Sequence, residues 1–178
     1  MTAAPPAAED RLLKAARSGD PRAAAADVLN ARYAAARARA ERRLEAGAPG
    51  REVARLYATA ADEMLAALWR VATEILWPIS PVESERLSLV AVGGYGRGVL
   101  APFSDLDLLF LRPGKATPRG EKVVEFVLYV LWDLGVRVGP ATRSVEECLS
   151  LSRSDMTVRT TLLEARPLAG DEGLSNLV

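Results

Sequence analysis

The chain has no histidine and a single cysteine among its 178 residues. A metal centre built on imidazoles, a His-based catalytic triad and a disulfide framework within the chain are therefore all excluded. Aromatic residues make up only 6% of the sequence, and formal net charge is zero. No overall field or basic, aromatic-rich surface argues for nucleic acid or for an anionic membrane. No run of 18 apolar residues occurs, and the opening MTAAPPAAED has neither a basic stretch nor an apolar core, so the sequence reads as cytoplasmic. What the chain does have is 49% hydrophobic residues, ample for one core.

The first 82 residues differ in texture from the rest. Alanine and arginine dominate up to Glu45; Asp20-Pro21 supplies a helix cap and first turn, and Gly47-Ala48-Pro49-Gly50 a stop, which predicts a helix from Pro21 to Ala46. A second helix is expected from Arg51 to Trp77, ended by Pro78. Its stripe of Val53, Leu56, Tyr57, Ala60, Met64, Leu68, Val71 and Ile75 keeps the helical period. Arg32, Arg37, Arg39, Arg42 and Arg43 mix with Glu41 and Glu45 and read as a solvated helix face. Residues 2–8 are low in complexity and read as frayed.

From Leu87 the text changes. Leu87, Leu89, Val90, Ala91 and Val92 form a short run rich in strand formers, stopped by Gly93-Gly94. Gly93, Gly94, Gly96 and Gly98 allow a tight turn whose backbone N–H groups can approach an anion, and Tyr95 to Leu100 can open a short helix. Eleven residues after Gly94 comes the first acid of Ser104-Asp105-Leu106-Asp107, a run leading into the apolar Leu108-Leu109-Phe110-Leu111. On a strand, Asp105 and Asp107 share a face while Leu106 and Leu108 point the other way. Two adjacent carboxylates repel, which raises one pKa, and a divalent cation between them removes that penalty. Magnesium suits such oxygen donors together with substrate phosphates, so the stretch reads as a site for a nucleoside triphosphate and its metal. No Gly-Lys-Ser/Thr follows, so this is not a Walker A loop, and the acidic pair arrives too early for a dinucleotide fingerprint.

Beyond the second strand, Arg112 to Gly120 is a polar loop and Glu121 to Leu134 an apolar helix ending at Gly135. Val136 to Thr142 is expected as a third strand. Ser144 and Glu147 fit a capping box opening a short helix that carries Cys148 as an inert, half-buried thiol, and Asp155 caps a last helix through Arg166. Strand, helix, strand, helix, strand makes a small α/β sheet with the triphosphate site at its strand ends.

These motifs carry a resemblance. AVGGYGRGVLAPFSDLDLLFL is similar to the nucleotidyltransferase fold shared with DNA polymerase β: an α/β core, here a small mixed sheet flanked by helices, behind an N-terminal helical extension. More narrowly it resembles the catalytic domain of the bacterial PII uridylyltransferase/uridylyl-removing enzymes, as do LYVLWDLGVRVGPATRSVEECL and SDMTVRTTLLEARPLAGDEGL. The division expected is 1–82 helical extension and 83–178 nucleotidyltransferase core.

The resemblance implies attack of a hydroxyl on the α-phosphorus of UTP with release of pyrophosphate, the acceptor being a tyrosine of the PII signalling protein. It implies that Asp105 and Asp107 hold Mg2+ and that Gly93, Gly94 and Gly96 cradle phosphate. Arg97 would neutralise the leaving pyrophosphate or, alternatively, pair with a surface acid. Ser104 would meet phosphate or cap the turn. An antitoxin-type minimal nucleotidyltransferase and a binding-only remnant are the alternatives. Two departures stand out: no acid lies in 136–144 to serve as a third carboxylate, and Pro140 replaces the histidine usual in such enzymes. With no histidine, the HD phosphohydrolase site of the family cannot form, and no length is left for its ACT domains. The chain reads as a truncated or partial form.

Overall fold

The computed structural model describes residues 17, 19–78 and 82–178; the low-complexity segment 2–8 lies outside them. Two long helices come first. α1, Pro21–Glu45, begins as the sequence indicates, with the Asp20 carboxylate accepting hydrogen bonds from the Arg22 and Ala23 amides, and stops at Gly47 in a left-handed conformation (φ +83°). α2, Gly50–Arg70, buries Val53, Tyr57, Ala60, Met64 and Leu68 along its stripe and widens into a π-turn over Val71–Leu76 before Pro78.

The remaining elements are β1 (Ser88–Ala91), a one-turn helix α3 (Gly93–Gly96), β2 (Leu106–Arg112), α4 (Pro118–Asp133) and β3 (Val138–Ser144). These are followed by α5 (Val145–Ser154), α6 (Met156–Leu163), β4 (Arg166–Gly170) and α7 (Glu172–Ser175). The sheet has four strands in the order β3-β2-β1-β4; β1 runs antiparallel to β2 and β4, and β2 parallel to β3 through the α4 crossover. Proline sits on both edge strands, Pro140 on β3 and Pro167 on β4, where a missing N–H costs no ladder bond on the open side.

Each face of the sheet has its own apolar layer. Leu89, Ala91, Leu106, Leu108 and Phe110 join Ala25 and Leu29 of α1, Tyr57, Leu65 and Leu68 of α2, and Val123, Val127 and Val130 of α4 in one cluster. Val90, Val92, Leu109 and Leu111 face the other way, onto Cys148 and Leu174. The helical segment and the sheet thus share one core.

Several elements depart from the sequence reading. The last helix ends at Leu163, and Arg166–Gly170 is a fourth strand; Arg-Pro-Leu-Ala-Gly has no alternation to announce it, and pairing with β1 decides its state. The helix after the glycine pair occupies Gly93–Gly96, not Tyr95–Leu100. α4 starts three residues before Glu121, because Thr117 accepts the Gly120 amide at 3.1 Å and Pro118 opens the first turn. β3 runs from Val138 to Ser144, so Val136 precedes it. Cys148 is fully buried, not half-buried, and burial pushes its thiol pKa up. The capping box is present as read: Glu147 N–H donates to Ser144 Oγ, and Ser144 N–H to Glu147 Oε2.

Candidate active site

The turn between β1 and β2 places the acidic pair. The Val92 amide donates to the Asp107 carbonyl at 3.0 Å, holding the end of β1 against the start of β2. Gly93 then turns with φ +55°. A Cβ there would lie 3.1 Å from Asp107 Oδ2, and a Cβ at Gly139, the β3 neighbour in register with Asp107, would lie 2.8 Å from Oδ1. The Asp107 carboxylate therefore occupies a slot between two glycines, and side chains at either would intrude on it.

Asp107 lies on β2, on the face of Leu109 and Leu111; Asp105 stands just before the strand. Burial, and after it the neighbouring Asp105 charge, raises the Asp107 pKa, the repulsion anticipated for such a pair. Among the described residues no group donates a hydrogen bond to the Asp107 carboxylate. Asp105 is held by an arginine not singled out from the sequence: Arg137 Nε lies 3.1 Å from Asp105 Oδ1.

Gly94, Arg97, Ser104, Asp105, Asp107 and Arg137 line a polar cleft of about 800 Å³. The Arg97 guanidinium stands over Gly94 but is paired with Glu164 at 2.6 Å, the surface-acid pairing foreseen as one of its two roles. Gly96 lies beneath the turn, buried, where a Cβ would meet the Glu164 carbonyl oxygen at 1.9 Å; close packing alone requires glycine there. Ser104 is exposed in the loop at the cleft and its amide donates to the Ala101 carbonyl, closing a turn. Its neighbour Phe103 is 74% exposed with φ +66°, uncommon for a residue with a Cβ.

Side chains of α2 and β4 hold the one-turn helix α3 from behind, and sequence reading missed them. The Tyr95 hydroxyl, buried, donates to Asp62 of α2 at 2.5 Å, and Arg166 of β4 grips Asp62 through two bonds of 2.9 and 3.0 Å while donating to the Gly96 carbonyl. Burial and the Asp62 charge keep Tyr95 protonated, its pKa well above the usual phenol value. Arg37 of α1 stacks over Tyr33 and Phe103, 5.5 Å from the latter, so one of the arginines read as a solvated face reaches the site loop. Asp133 is tied to Arg22 of α1 and is not available to the site.

A mixed sheet flanked by helices, with a glycine turn beside an acidic pair at the start of a central strand, defines a nucleotidyltransferase. Residues 77–167 match the nucleotidyltransferase domain family model, and the chain belongs to that family. It is similar to bifunctional uridylyltransferase/uridylyl-removing enzymes: 54% identical over 155 residues to that of Caulobacter vibrioides, 53% to that of Phenylobacterium zucineum and 49% over 154 residues to that of Rhodopseudomonas palustris. Each match covers 86% of this chain and 16–17% of the relative, so the chain spans about one sixth of the length of the curated relatives it matches. No helix of the described residues is long and apolar enough to cross a membrane.

Proposed function

We propose that the chain is the transferase portion of a uridylyltransferase, moving UMP from UTP to a tyrosine hydroxyl of the PII signalling protein in the cytoplasm and releasing pyrophosphate. The observation that carries this reading is the Asp107 carboxylate, which has no hydrogen-bond donor among the described residues, sits in a glycine slot beside a second carboxylate, and faces a polar cleft large enough for a triphosphate.

The donor set fits Mg2+: two carboxylates, all-oxygen, with remaining positions left for phosphate and water. Asp105 and Asp107 would hold the ion. When bound, it supplies charge neutralisation on the phosphates and a lowered pKa for the attacking hydroxyl. Gly94 would offer its backbone N–H group to the triphosphate and Gly93 would turn the chain beside Asp107, with Gly96 keeping the turn tight and Ser104 at the mouth. Arg97 and Arg137, each now paired with an acid at the surface, are cations lining the same cleft that would meet the developing negative charge.

A binding-only reading is favoured by one observation: among the described residues no set of three acidic, cysteine or histidine side chains gathers for a metal. The two readings separate on incubation of the purified chain with PII, UTP and magnesium, followed by intact-mass analysis. A uridylyl adduct on PII, lost in Asp105→Asn, supports transfer; UTP binding with no adduct from a folded chain supports the alternative.

A further inference from the structure

Asp107 lines two cavities at once. One is the polar cleft with Gly94 and Asp105; the other, about 300 Å³, lies between β3 and α6, and Asp107 is the single residue the two linings share. This second cavity is floored by Val92, Leu109 and Ala141 and bordered by Arg143, Asp155 and Thr157.

Phosphoryl-type displacement places the attacking and departing oxygens in line, on opposite sides of the phosphorus. If the triphosphate runs from Asp107 into the polar cleft, its pyrophosphate leaves on that side. The attacking hydroxyl must then come from the other side of Asp107, which is the β3–α6 cavity. Its aliphatic floor suits the ring or chain carrying that hydroxyl, and Thr157 offers a polar contact.

A proton acceptor is also needed there. Besides Asp107, Asp155 is the one acid in that lining. The neighbouring acids are engaged: Glu164 with Arg97, Glu147 with Arg112 and the Ser144 amide, Asp62 with Arg166, Asp133 with Arg22. Asp155 uses only Oδ1 to cap α6, accepting the Thr157 and Val158 amides at 2.8 and 3.2 Å. Oδ2 has no partner among the described residues.

Resting on the nucleotidyltransferase reading above, we propose that the β3–α6 cavity is the acceptor subsite and that Asp155 is its proton acceptor. As the acceptor oxygen bonds to the α-phosphorus, the bridging Pα–O bond breaks, pyrophosphate departs with that electron pair, and the hydroxyl proton passes to Asp155 Oδ2. β3 itself carries no acid; the carboxylate is delivered from the α5–α6 junction across the cavity.

The test is steady-state transfer from UTP to PII by the wild type, Asp155→Asn and Asp155→Ser. Asparagine and serine both cap helices, so α6 and thermal stability should be retained while the carboxylate is lost. Both variants should lower kcat by about 100-fold or more, with KM for UTP unchanged. Asp155→Glu should restore part of the rate. Variants that keep wild-type kcat overturn the assignment alone, as does a loss confined to KM for UTP. A wild-type chain that binds UTP but transfers nothing overturns the underlying reading and this one with it. Should Asp155→Asn prove unstable, Asp155→Ser, with its different capping atom, decides the matter.

Discussion

Asp107 lies between Gly93 and Gly139 beside Asp105, where burial and the neighbouring like charge disfavour its ionised form, a cost that a cation would relieve. Asp107 has its pKa raised in the folded chain. Its contribution to stability is therefore most favourable below the ordinary carboxylate range and is lost as pH rises through the raised value. Asp107→Asn should abolish transfer by at least about 100-fold yet raise the metal-free melting temperature by about 2 °C at neutral pH. Magnesium should raise the melting point of the wild type and leave the variant unmoved. Thermal melts with and without the ion check this; a variant that melts lower, or that responds to magnesium like the wild type, would contradict it. The glycines can be ranked in the same way. Gly96→Ala drives a methyl into the Glu164 carbonyl and should cost about 3 kcal/mol. Gly98→Ala has open space, its nearest neighbour at 3.9 Å, and should lose only the left-handed penalty of about 1–2 kcal/mol. Urea unfolding of the pair tests that order.

At the level of elements, the one-turn helix α3 beside the acidic pair is fastened from two directions by one ion pair. Asp62 comes from α2 and Arg166 from β4, and between them they hold the Tyr95 hydroxyl and the Gly96 carbonyl. Asp62→Ala leaves Arg166 and Tyr95 without their acceptor. It should cost about 2 kcal/mol and reduce transfer more than an Ala substitution at the exposed Glu63 one residue away, as paired unfolding and activity assays would show. This network explains where sequence reading succeeded and where it stopped. The glycine turn and the acid pair were legible, because glycines, an i, i+2 acid spacing and an apolar strand are local signals; Gly139, the other wall of the slot, was not, since only the β2–β3 register brings it to Asp107. Asp20-Pro21 and the Ser144/Glu147 box were legible too. β4 was not: its five residues become a strand only by lying along β1, and Gly170 is needed there because a Cβ would come within 2.4 Å of the Leu87 carbonyl oxygen. Asp62, Arg166 and Arg137 were missed for the same reason, since partners 104 and 32 residues apart leave no spacing to read.

On the scale of the whole molecule, the question is whether the alanine-rich helices are an appendage or part of the fold. Leu29 of α1 is 1% exposed, inside the same apolar cluster as Leu89, Phe110 and Val127. Arg22 of α1 binds Asp133 of α4, and Arg37 covers Phe103 beside the acidic pair. The texture change near residue 82 marks a change of composition, while the core runs across it. A second long-range tie, Arg86 to Asp171, joins the entry of β1 to the turn before α7 and holds the Asp171 pKa down to about 2. Its contribution is present above the ordinary carboxylate pKa and is lost as pH falls through that lowered value, so acid unfolding should be later in wild type than in Asp171→Asn. If the core is shared, unfolding is a single event. Trp69 and Trp77 lie in the helical segment and Trp132 in α4, so far-UV circular dichroism, dominated by α1 and α2, should then follow the same curve as the fluorescence of a Trp69→Phe, Trp77→Phe variant, in which Trp132 alone reports. Leu29→Ala should shift both curves together by about 2–4 kcal/mol, the cost of an unfilled cavity in a close-packed interior. Separation of the two curves, or a shift confined to the helical signal, would show that the first 82 residues fold apart from the catalytic sheet and that Arg37 meets the site loop only by docking.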